Sequence, residues 1–283
     1  MTGPRFPTSA VKAERAYNPR LAVPDAADIF GQWPARSART RARHPPIADL
    51  RYGDHPREVL DLFRASEPRG TVLFIHGGYW RAFSKDDMSW VADAFLGQGL
   101  SVVILNYPLC PDVPLSRIVE ATRRAFAHLH REVLLPPERE RIVVTGHSAG
   151  GYLAAVHLAT DWAELGLPPE PIAGIVPISG VFSLAPLIPT SMNEAIGLNA
   201  ESAAQLSLDT RPWLSRGGAV FAIGGDETAA FHDQSAAMRA AWSDLRPAIL
   251  SVPGRNHFDV IDDLARRNGA LNRAVLTILE AAR

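Results

Sequence analysis

From about residue 58 onward, the chain alternates between short apolar runs and longer segments in which apolar positions recur with helical spacing. The apolar runs, many of them rich in β-branched residues, lie at 59–63, 71–75, 101–106, 141–145, 172–179, 219–223 and 248–252. The helical segments lie at 88–96, 115–132, 149–160, 231–245 and 264–282. Near-continuous apolar strands separated by helices predict an α/β fold with a mostly parallel central sheet covered by helices on both faces.

The first 48 residues do not follow this alternation. They carry seven prolines and an arginine-rich stretch at 36–43. Asp25 is placed to cap a short helix with Ile29, Phe30 and Trp33 on one face. Because the segment is too short to hold a core of its own, we predict that residues 1–48 form an arm packed on a single domain at 49–283. The arginines are interpreted as a solvated helix end, with an anion-binding patch as the alternative.

A second interruption follows the fifth apolar run, at about residues 181–216. This segment is marked by helix-breaking and turn-forming residues, namely Pro186, Pro189, Asn193, Asn199 and Pro212. An excursion that leaves the sheet after a strand predicts a small helical cap. In parallel sheets the functional groups gather outside the carboxyl ends of the strands, so we expect the cap to cover a site at that edge.

The strongest chemical signal is a G-x-S-x-G sequence between an apolar run and an apolar helical segment. Gly146, Ser148 and Gly150 occupy its fixed positions. This is the context of a nucleophile elbow, in which a strained serine stands on a sharp turn between strand and helix. The sequence therefore predicts Ser148 as a nucleophile, with the amide of Ala149 at the helix N-terminus facing developing negative charge.

A glycine pair after an earlier strand supports the same chemistry. His76, Gly77 and Gly78 follow the run at 71–75. Hydrolases with a nucleophile elbow draw oxyanion-hole N–H groups from such a loop and from the residue after the nucleophile. The predicted oxyanion hole thus consists of the amides of Gly77, Gly78 and Ala149. His76 is interpreted as a structural residue that holds the loop.

Two aromatic residues complete this loop. Tyr79 and Trp80 follow the glycine pair directly. They are candidates for lining a substrate pocket or stacking on an aryl ring, and packing against the core strand is the alternative for both.

A serine nucleophile needs a base, and the base needs an acid that orients it. In this type of hydrolase the chain order is serine, acid, histidine. Asp226 follows the sixth apolar run and His257 follows the last, so the sequence predicts the triad Ser148, Asp226 and His257. Glu227 is the rival acid, set aside because its side chain is expected to begin the next helix.

Composition narrows the function classes. The 29 Lys and Arg against 30 Asp and Glu give a formal charge of −1, which lacks the basic footprint of a nucleic-acid binder. No apolar run reaches the ~18 residues of a membrane span, and the first residues lack an apolar signal-peptide core. The single cysteine, Cys110, is expected to be a small buried residue. We therefore expect a cytoplasmic protein with a small-molecule substrate and with no metal, cofactor, nucleic-acid or membrane partner.

These motifs resemble those of the α/β-hydrolases, and more narrowly those of the kynurenine formamidase (arylformamidase) and small carboxylesterase group. The resemblance covers about residues 50–283 and includes HGGYW at 76–80, GHSAGG at 146–151, GGDE at 224–227 and NHFD at 256–259. Further matches are Tyr52-Gly-Asp54, Leu60-Asp-Leu-Phe63, Ser191-Met-Asn-Glu194 and, in the arm, Tyr17-Asn-Pro-Arg20. The resemblance implies an α/β-hydrolase fold with a small cap insertion.

It also implies hydrolysis of an N-formyl aryl amide, typically N-formyl-L-kynurenine, to an aryl amine and formate. Two alternatives stay open at this point. A carboxylesterase acting on small short-chain esters would carry the same motifs, and a non-catalytic binding protein of the same fold would not need a complete set of nucleophile, base, acid and oxyanion donors.

Overall fold

The computed structural model describes residues 9–282, and residues 1–8 of the predicted arm and Arg283 lie outside this part of the chain. Its strands are β1 Ile47–Arg51, β2 Val59–Phe63, β3 Thr71–Ile75, β4 Ser101–Leu105, β5 Ile142–His147, β6 Gly174–Ile178, β7 Gly218–Gly224 and β8 Ala248–Val252. Its helices are α1 Ala10–Tyr17, α2 Ala26–Arg43, α3 Ala92–Leu96, α4 Leu115–His128, α5 Pro136–Arg139, α6 Ala149–Val156, α7 Asn193–Ile196, α8 Ala200–Leu206, α9 Ala229–Ala241 and α10 Ala270–Ala281. None of the helices described between residues 9 and 282 has the length and apolar character needed to cross a membrane.

The eight strands form one sheet in the order β1-β2-β4-β3-β5-β6-β7-β8. Strands β3 to β8 run parallel to one another, whereas β2 is antiparallel to both β1 and β4. The predicted fold class, an α/β fold with a mostly parallel central sheet, is confirmed. Strand β1 was not predicted.

Alternate residues of the buried strands supply two separate cores. In β3, Leu73 and Ile75 belong to one core with α4, α6 and α9. Val72 and Phe74 belong to the other core, with α3, α10 and Trp33 of α2. Each central strand is therefore apolar at every position because both of its faces are covered.

Helix α2 is longer than the predicted short helix, at 18 residues. Asp25 stands at its N-cap but its side chain forms no capping hydrogen bond, so that part of the prediction is wrong. The prediction of a solvated helix end holds for Arg39, which is exposed, but three other arginines of the stretch pair with carboxylates of the domain. These pairs are Arg36 with Asp262, Arg41 with Asp61 and Arg43 with Asp93.

Helix α1 and the turn after it lie beside the segment at 181–216. The Glu14 carboxylate accepts hydrogen bonds from the backbone and the hydroxyl of Ser191, both at 2.8 Å. The Tyr17 hydroxyl accepts a hydrogen bond from Gln234 of α9 at 2.9 Å. Within 181–216 the chain forms a 3₁₀ turn at Ala185–Leu187 and the short helices α7 and α8. The first residues of the chain that are described thus contact both this segment and the main body of the fold.

Candidate active site

A cavity of about 380 Å³ lies outside the carboxyl ends of the parallel strands. Four chain segments that follow β3, β5, β7 and β8 meet around it or directly behind its wall. Ser148, His147 and His257 line it together with Gly77 and Gly78. The topology accounts for this convergence, because parallel strands direct their carboxyl ends to the same edge of the sheet.

Ser148 occupies the sharp turn between β5 and α6. Its backbone has φ 54° and ψ −115°, a conformation that costs a non-glycine residue energy and is concentrated at functional sites. The turn brings Ser148 to the cavity wall, where only 3% of the residue is exposed to solvent. Ala149 is the first residue of α6, so its N–H has no partner within the helix and is free to bind an anionic oxygen.

The glycines of the elbow are required by close backbone contacts. A Cβ atom on Gly146 would come closer than 3.0 Å to the carbonyl oxygen of Gly150. A Cβ atom on Gly150 would come equally close to the carbonyl oxygens of Ile75 and His76. Both clashes are with backbone, which cannot move aside as a side chain can, and so strand β3, the elbow and α6 pack together only with glycine at these positions.

This packing gives a stability prediction with a matched control. We expect Gly150→Ala to lower the free energy of unfolding by about 3 kcal/mol, since the added methyl group overlaps the β3 backbone. Gly31→Ala is the control, because Gly31 lies in the exposed part of α2 with nothing near its Cβ position. It is expected to raise the free energy of unfolding by up to ~1 kcal/mol. Urea titration of both variants checks the pair, and equal effects would contradict the packing argument.

The loop after β3 places two glycines against the elbow. A Cβ atom on Gly77 would lie 2.8 Å from the carbonyl oxygen of His147 and 3.3 Å from Cβ of Ser148. Gly78 has φ +101°, and a Cβ atom there would overlap Ala82. The backbone of this loop can therefore approach a group bound at Ser148 as closely as the predicted oxyanion hole requires.

His76 supports this loop from behind. It is fully buried, stacks on Tyr107 with ring centroids 4.2 Å apart, and its Nδ1 lies 2.8 Å from the carbonyl oxygen of Gly77. Because a carbonyl only accepts, Nδ1 carries the proton. Burial lowers the pKa of His76 to about 3, so its ring is neutral at physiological pH. These contacts agree with a structural role and place the ring away from the cavity wall.

Tyr79 and Trp80 have different environments. Tyr79 lines the cavity, and its hydroxyl donates a hydrogen bond to the carbonyl oxygen of Tyr17 in the arm. Trp80 is fully buried beside Tyr152, and its indole N–H donates to the carbonyl oxygen of Ala149 at 3.2 Å. The packing alternative therefore holds for Trp80, whereas Tyr79 is positioned to contact a ligand.

His257 is held by a carboxylate. Its Nδ1 lies 2.6 Å from Oε2 of Glu227, and both side chains are buried. Since the carboxylate accepts, Nδ1 carries the proton and Nε2 keeps the lone pair that a general base uses. The His257 ring is also packed between Phe231 and His147, with centroid separations of 4.4 Å and 4.9 Å.

The prediction that Asp226 orients His257 is wrong. The Asp226 side chain is exposed, and its backbone N–H donates to the carbonyl oxygen of Arg255. The expectation that Glu227 begins a helix fails because α9 begins only at Ala229, with Thr228 as its N-cap. Glu227 therefore remains in the turn after β7, where its longer side chain reaches back under the strand end.

Two further groups fix the Glu227 carboxylate. Its Oε1 accepts the backbone N–H of Gly224 at 2.7 Å and the hydroxyl of Ser179. Ser179 directly follows β6 and has φ +53°. Each oxygen of the Glu227 carboxylate thus has a hydrogen-bond partner, and the contacts of Oε1 fix the orientation in which Oε2 faces His257. Sequence reasoning missed Ser179, because a serine after a strand carries no distinguishing signal.

His147 connects the elbow to the segment that carries His257. Its Nε2 donates a hydrogen bond to the carbonyl oxygen of His257 at 2.6 Å. Burial, followed by the charge of His257, lowers the pKa of His147 to about 3. His147 is therefore a neutral donor at physiological pH, and it ties the elbow to the segment that carries His257.

The arm contributes an aromatic wall to the cavity. Phe30 and Trp33 of α2 line it beside Phe83 and Phe258. Phe30 is central, since its ring centroid lies 4.9 Å from that of Trp33, 5.3 Å from Phe83 and 4.7 Å from Phe258. The sequence placed Phe30 and Trp33 on one helix face but gave no sign that this face borders the site. From the 181–216 segment, Met192 reaches the cavity.

Across residues 9–282, no group of three or more His, Cys, Asp or Glu side chains is arranged to hold a metal ion. Cys110 is buried, and burial raises the pKa of its thiol to about 11. A thiol that stays protonated at neutral pH is a poor nucleophile.

Known proteins with similar sequences include hydrolases of two kinds. The kynurenine formamidase of Salmo salar is 27% identical over 252 residues, covering 85% of this chain and 84% of that protein. The carboxylesterase/phospholipase LipF of Mycobacterium tuberculosis is 33% identical over 137 residues, covering 46% of this chain and 35% of its own length.

A solved structure and a family model agree with the observed fold. A protein from Silicibacter sp. TM1040, described as a candidate thioesterase, is 32% identical, with a TM-score of 0.85 and coverage of 94% of this chain and 99% of that one. The model of the alpha/beta hydrolase fold matches residues 72–269. That match spans both the glycine loop after β3 and the segment carrying His257. The chain therefore belongs to the α/β hydrolase fold family, and it is a hydrolase.

Proposed function

We propose that this hydrolase cleaves N-formyl aryl amides, with N-formyl-L-kynurenine as the foremost substrate, through an acyl-enzyme formed on Ser148. His257 is the general base, Glu227 orients it, and the amides of Gly77, Gly78 and Ala149 form the oxyanion hole. The hydrogen bond between His257 and Glu227 supports the first pair of roles. The close approach of Gly77 to Ser148 supports the oxyanion hole.

In the first half of the reaction, Nε2 of His257 accepts the hydroxyl proton of Ser148 as Oγ attacks the formyl carbon. The carbonyl π electrons move to oxygen, which becomes the oxyanion held by backbone N–H groups. The carbon–nitrogen bond then breaks, and the imidazolium of His257 returns the proton to the leaving aniline nitrogen. The negative charge of Glu227 stabilises that imidazolium while it exists.

In the second half, a water molecule gives a proton to His257 and attacks the formyl ester on Ser148. The carbon–oxygen bond to the serine breaks, and His257 returns the proton to Oγ. The products are formate and the free aryl amine. Because an aryl amine leaves more readily than an alkyl amine, the same serine machinery that cleaves esters suffices for this amide.

The observation that carries the proposal is the aromatic wall of the cavity. Phe30, Trp33, Phe83 and Phe258 present an apolar surface beside Ser148 that suits a planar aryl group. A cavity of about 380 Å³ lies at the small end of the range for ligand sites. The similarity to kynurenine formamidases extends over 85% of the chain, and it supports the same substrate class.

A carboxylesterase for small short-chain esters is the second candidate function. The partial similarity to LipF favours it. Steady-state kinetics on N-formyl-L-kynurenine and on p-nitrophenyl acetate separate the two functions. Each kcat/KM is divided by the rate constant of the uncatalysed hydrolysis, because the p-nitrophenyl ester is intrinsically more reactive. We expect the resulting ratio to be higher for the formamide. Turnover of the ester alone would replace the formamidase proposal with the esterase.

Acyl-chain selectivity gives a second test. We propose that the loop at 76–80 bounds the acyl side of the site, while the arm and the 181–216 segment bound the leaving-group side. On a narrow acyl side, each added methylene weakens transition-state binding by roughly 1–3 kcal/mol. The p-nitrophenyl esters of formate and acetate should therefore react much faster than those of butyrate and octanoate. Values of kcat/KM across these four esters, corrected for spontaneous hydrolysis, check the expectation. A maximum at butyrate or octanoate would contradict the formamidase proposal.

A further inference from the structure

Two guanidinium groups stand at the wall of the cavity without carboxylate partners. Arg20 lies in the 3₁₀ turn Pro19–Leu21 after α1, and Arg81 directly follows the loop that carries Gly77 and Gly78. Neither side chain forms an ion pair with any residue in the described part of the chain, whereas Arg36, Arg41 and Arg43 all do. Two unpaired positive charges at one small cavity favour an anionic ligand group.

The Glu14 carboxylate, on which the charge of Arg81 acts, is already engaged. Glu14 accepts hydrogen bonds from Asn18 at 2.7 Å and from Ser191 at 2.8 Å. Burial works against its charge, but these hydrogen bonds and the charge of Arg81 together lower the pKa of Glu14. Glu14 therefore offsets part of the field of Arg81 and leaves Arg20 as the stronger free cation.

The position of Arg20 connects it to the aromatic wall. Its guanidinium carbon lies 5.2 Å from the centroid of the Phe30 ring, within the range of a cation–π contact. This contact holds the positive charge at the edge of the surface proposed to receive the aryl group. A substituent that projects from a bound aryl ring past Phe30 would meet the guanidinium.

We infer that Arg20, assisted by Arg81, selects substrates whose aryl leaving group carries a carboxylate. The inference rests on the proposed function, since the aryl group must lie on the wall formed around Phe30. A guanidinium matches a carboxylate in charge and in its paired hydrogen-bond geometry. Because both arginines are exposed, we expect a preference of roughly three- to tenfold for the substrate that carries the carboxylate, decreasing as salt is added.

The test compares substrates that differ in the carboxylate. N-formyl-L-kynurenine is compared with 2-formamidoacetophenone, which keeps the aryl formamide and lacks the amino-acid tail. An ester pair, 3-(4-acetoxyphenyl)propanoate and its methyl ester, makes the same comparison independently of formamide cleavage. The measured quantity is the ratio of kcat/KM for the carboxylate-bearing to the carboxylate-free member of each pair, at low and high salt.

The variants are Arg20→Gln, Arg20→Glu and Arg81→Gln, with Arg39→Gln as the matched control. Arg39 is an exposed arginine of α2 that does not line the cavity. We expect the ratio of carboxylate-bearing to carboxylate-free substrate to fall in the order wild type, Arg81→Gln, Arg20→Gln, Arg20→Glu, and to stay at the wild-type value in Arg39→Gln. Calorimetric dissociation constants for L-kynurenine and 2-aminoacetophenone give the same comparison without turnover.

The outcomes separate this inference from the proposed function. A carboxylate preference in the ester pair and in product binding, with no cleavage of either formamide, would overturn the formamidase and leave the anion site standing. Cleavage of both formamides with equal kcat/KM and with no response to Arg20→Glu would overturn the anion site alone. A preference that persists unchanged in Arg20→Glu would equally overturn it, because the selectivity would then come from elsewhere.

Discussion

Ser148→Ala is expected to lower kcat by about 10⁶ and to leave the folded structure unchanged. The substitution removes one oxygen atom, and alanine bears the same backbone strain as serine at φ 54°. What remains is binding and oxyanion stabilisation, which cannot replace a nucleophile. Initial rates at saturating substrate, with purified variant and wild-type protein measured side by side, give the comparison.

A second buried serine provides the control. Ser235 of α9 is buried, its hydroxyl has no hydrogen-bond partner within the described residues, and it does not line the cavity. We expect Ser235→Ala to keep wild-type activity, and a serine-directed phosphonate to label Ser148 alone, as read by mass spectrometry of the digested protein. Retention of a tenth of the wild-type rate by Ser148→Ala, or labelling of another serine, would refute the assignment.

The sequence predicted the central strands well because their patterning has a single physical cause. Strands such as β3 and β5 are buried on both faces, so they appear as continuous apolar runs between helices. Strand β1 differs, since it lies at the sheet edge with most of its residues exposed. Its sequence, Ile-Ala-Asp-Leu-Arg, is interrupted by two charged residues and therefore lacks the continuous apolar run by which the buried strands were predicted.

The sharp turn at Ser148 and the glycine loop packed against it were predictable because local sterics determine them. Gly146 and Gly150 are needed wherever a strand, a sharp turn and a helix pack this closely, so the requirement is visible within five residues of sequence. The aromatic wall is different. Phe30 and Trp33 reach the site only because α2 packs against the sheet, and no local pattern contains that information.

The carboxylate that contacts His257 shows where prediction from sequence fails, because it lies one residue from the predicted one. Asp226 and Glu227 are adjacent, and the order of elements allows either one. The choice depends on where α9 begins and on where Ser179 and Gly224 stand after folding. The start of a helix is among the least certain features of a prediction from sequence. Here α9 begins at Ala229, two residues after Glu227, and so the wrong one of the two carboxylates was predicted to orient His257.

Glu227→Gln is accordingly expected to lower kcat by as much as about 10⁴, while Asp226→Asn changes it by about twofold or less. The backbone N–H of Gly224 only donates, so it keeps the amide oxygen of Gln at the position now held by Oε1 of Glu227. The amide nitrogen then faces Nδ1 of His257, where two N–H groups would oppose each other. His257 is forced to place its proton on Nε2, and the base that should accept the proton of Ser148 is lost.

The two substitutions form a matched pair, because each converts a carboxylate to its amide on adjacent residues of one turn. Thermal unfolding and phosphonate labelling kinetics distinguish a misplaced tautomer from a damaged fold: Glu227→Gln should unfold as a single transition and label slowly, whereas Asp226→Asn should label as fast as wild type. Equal losses of kcat in both variants would indicate a general effect of the turn on His257. A large loss in Asp226→Asn with activity preserved in Glu227→Gln would return the orienting role to Asp226, and the contact between Glu227 and His257 would then have no part in the reaction.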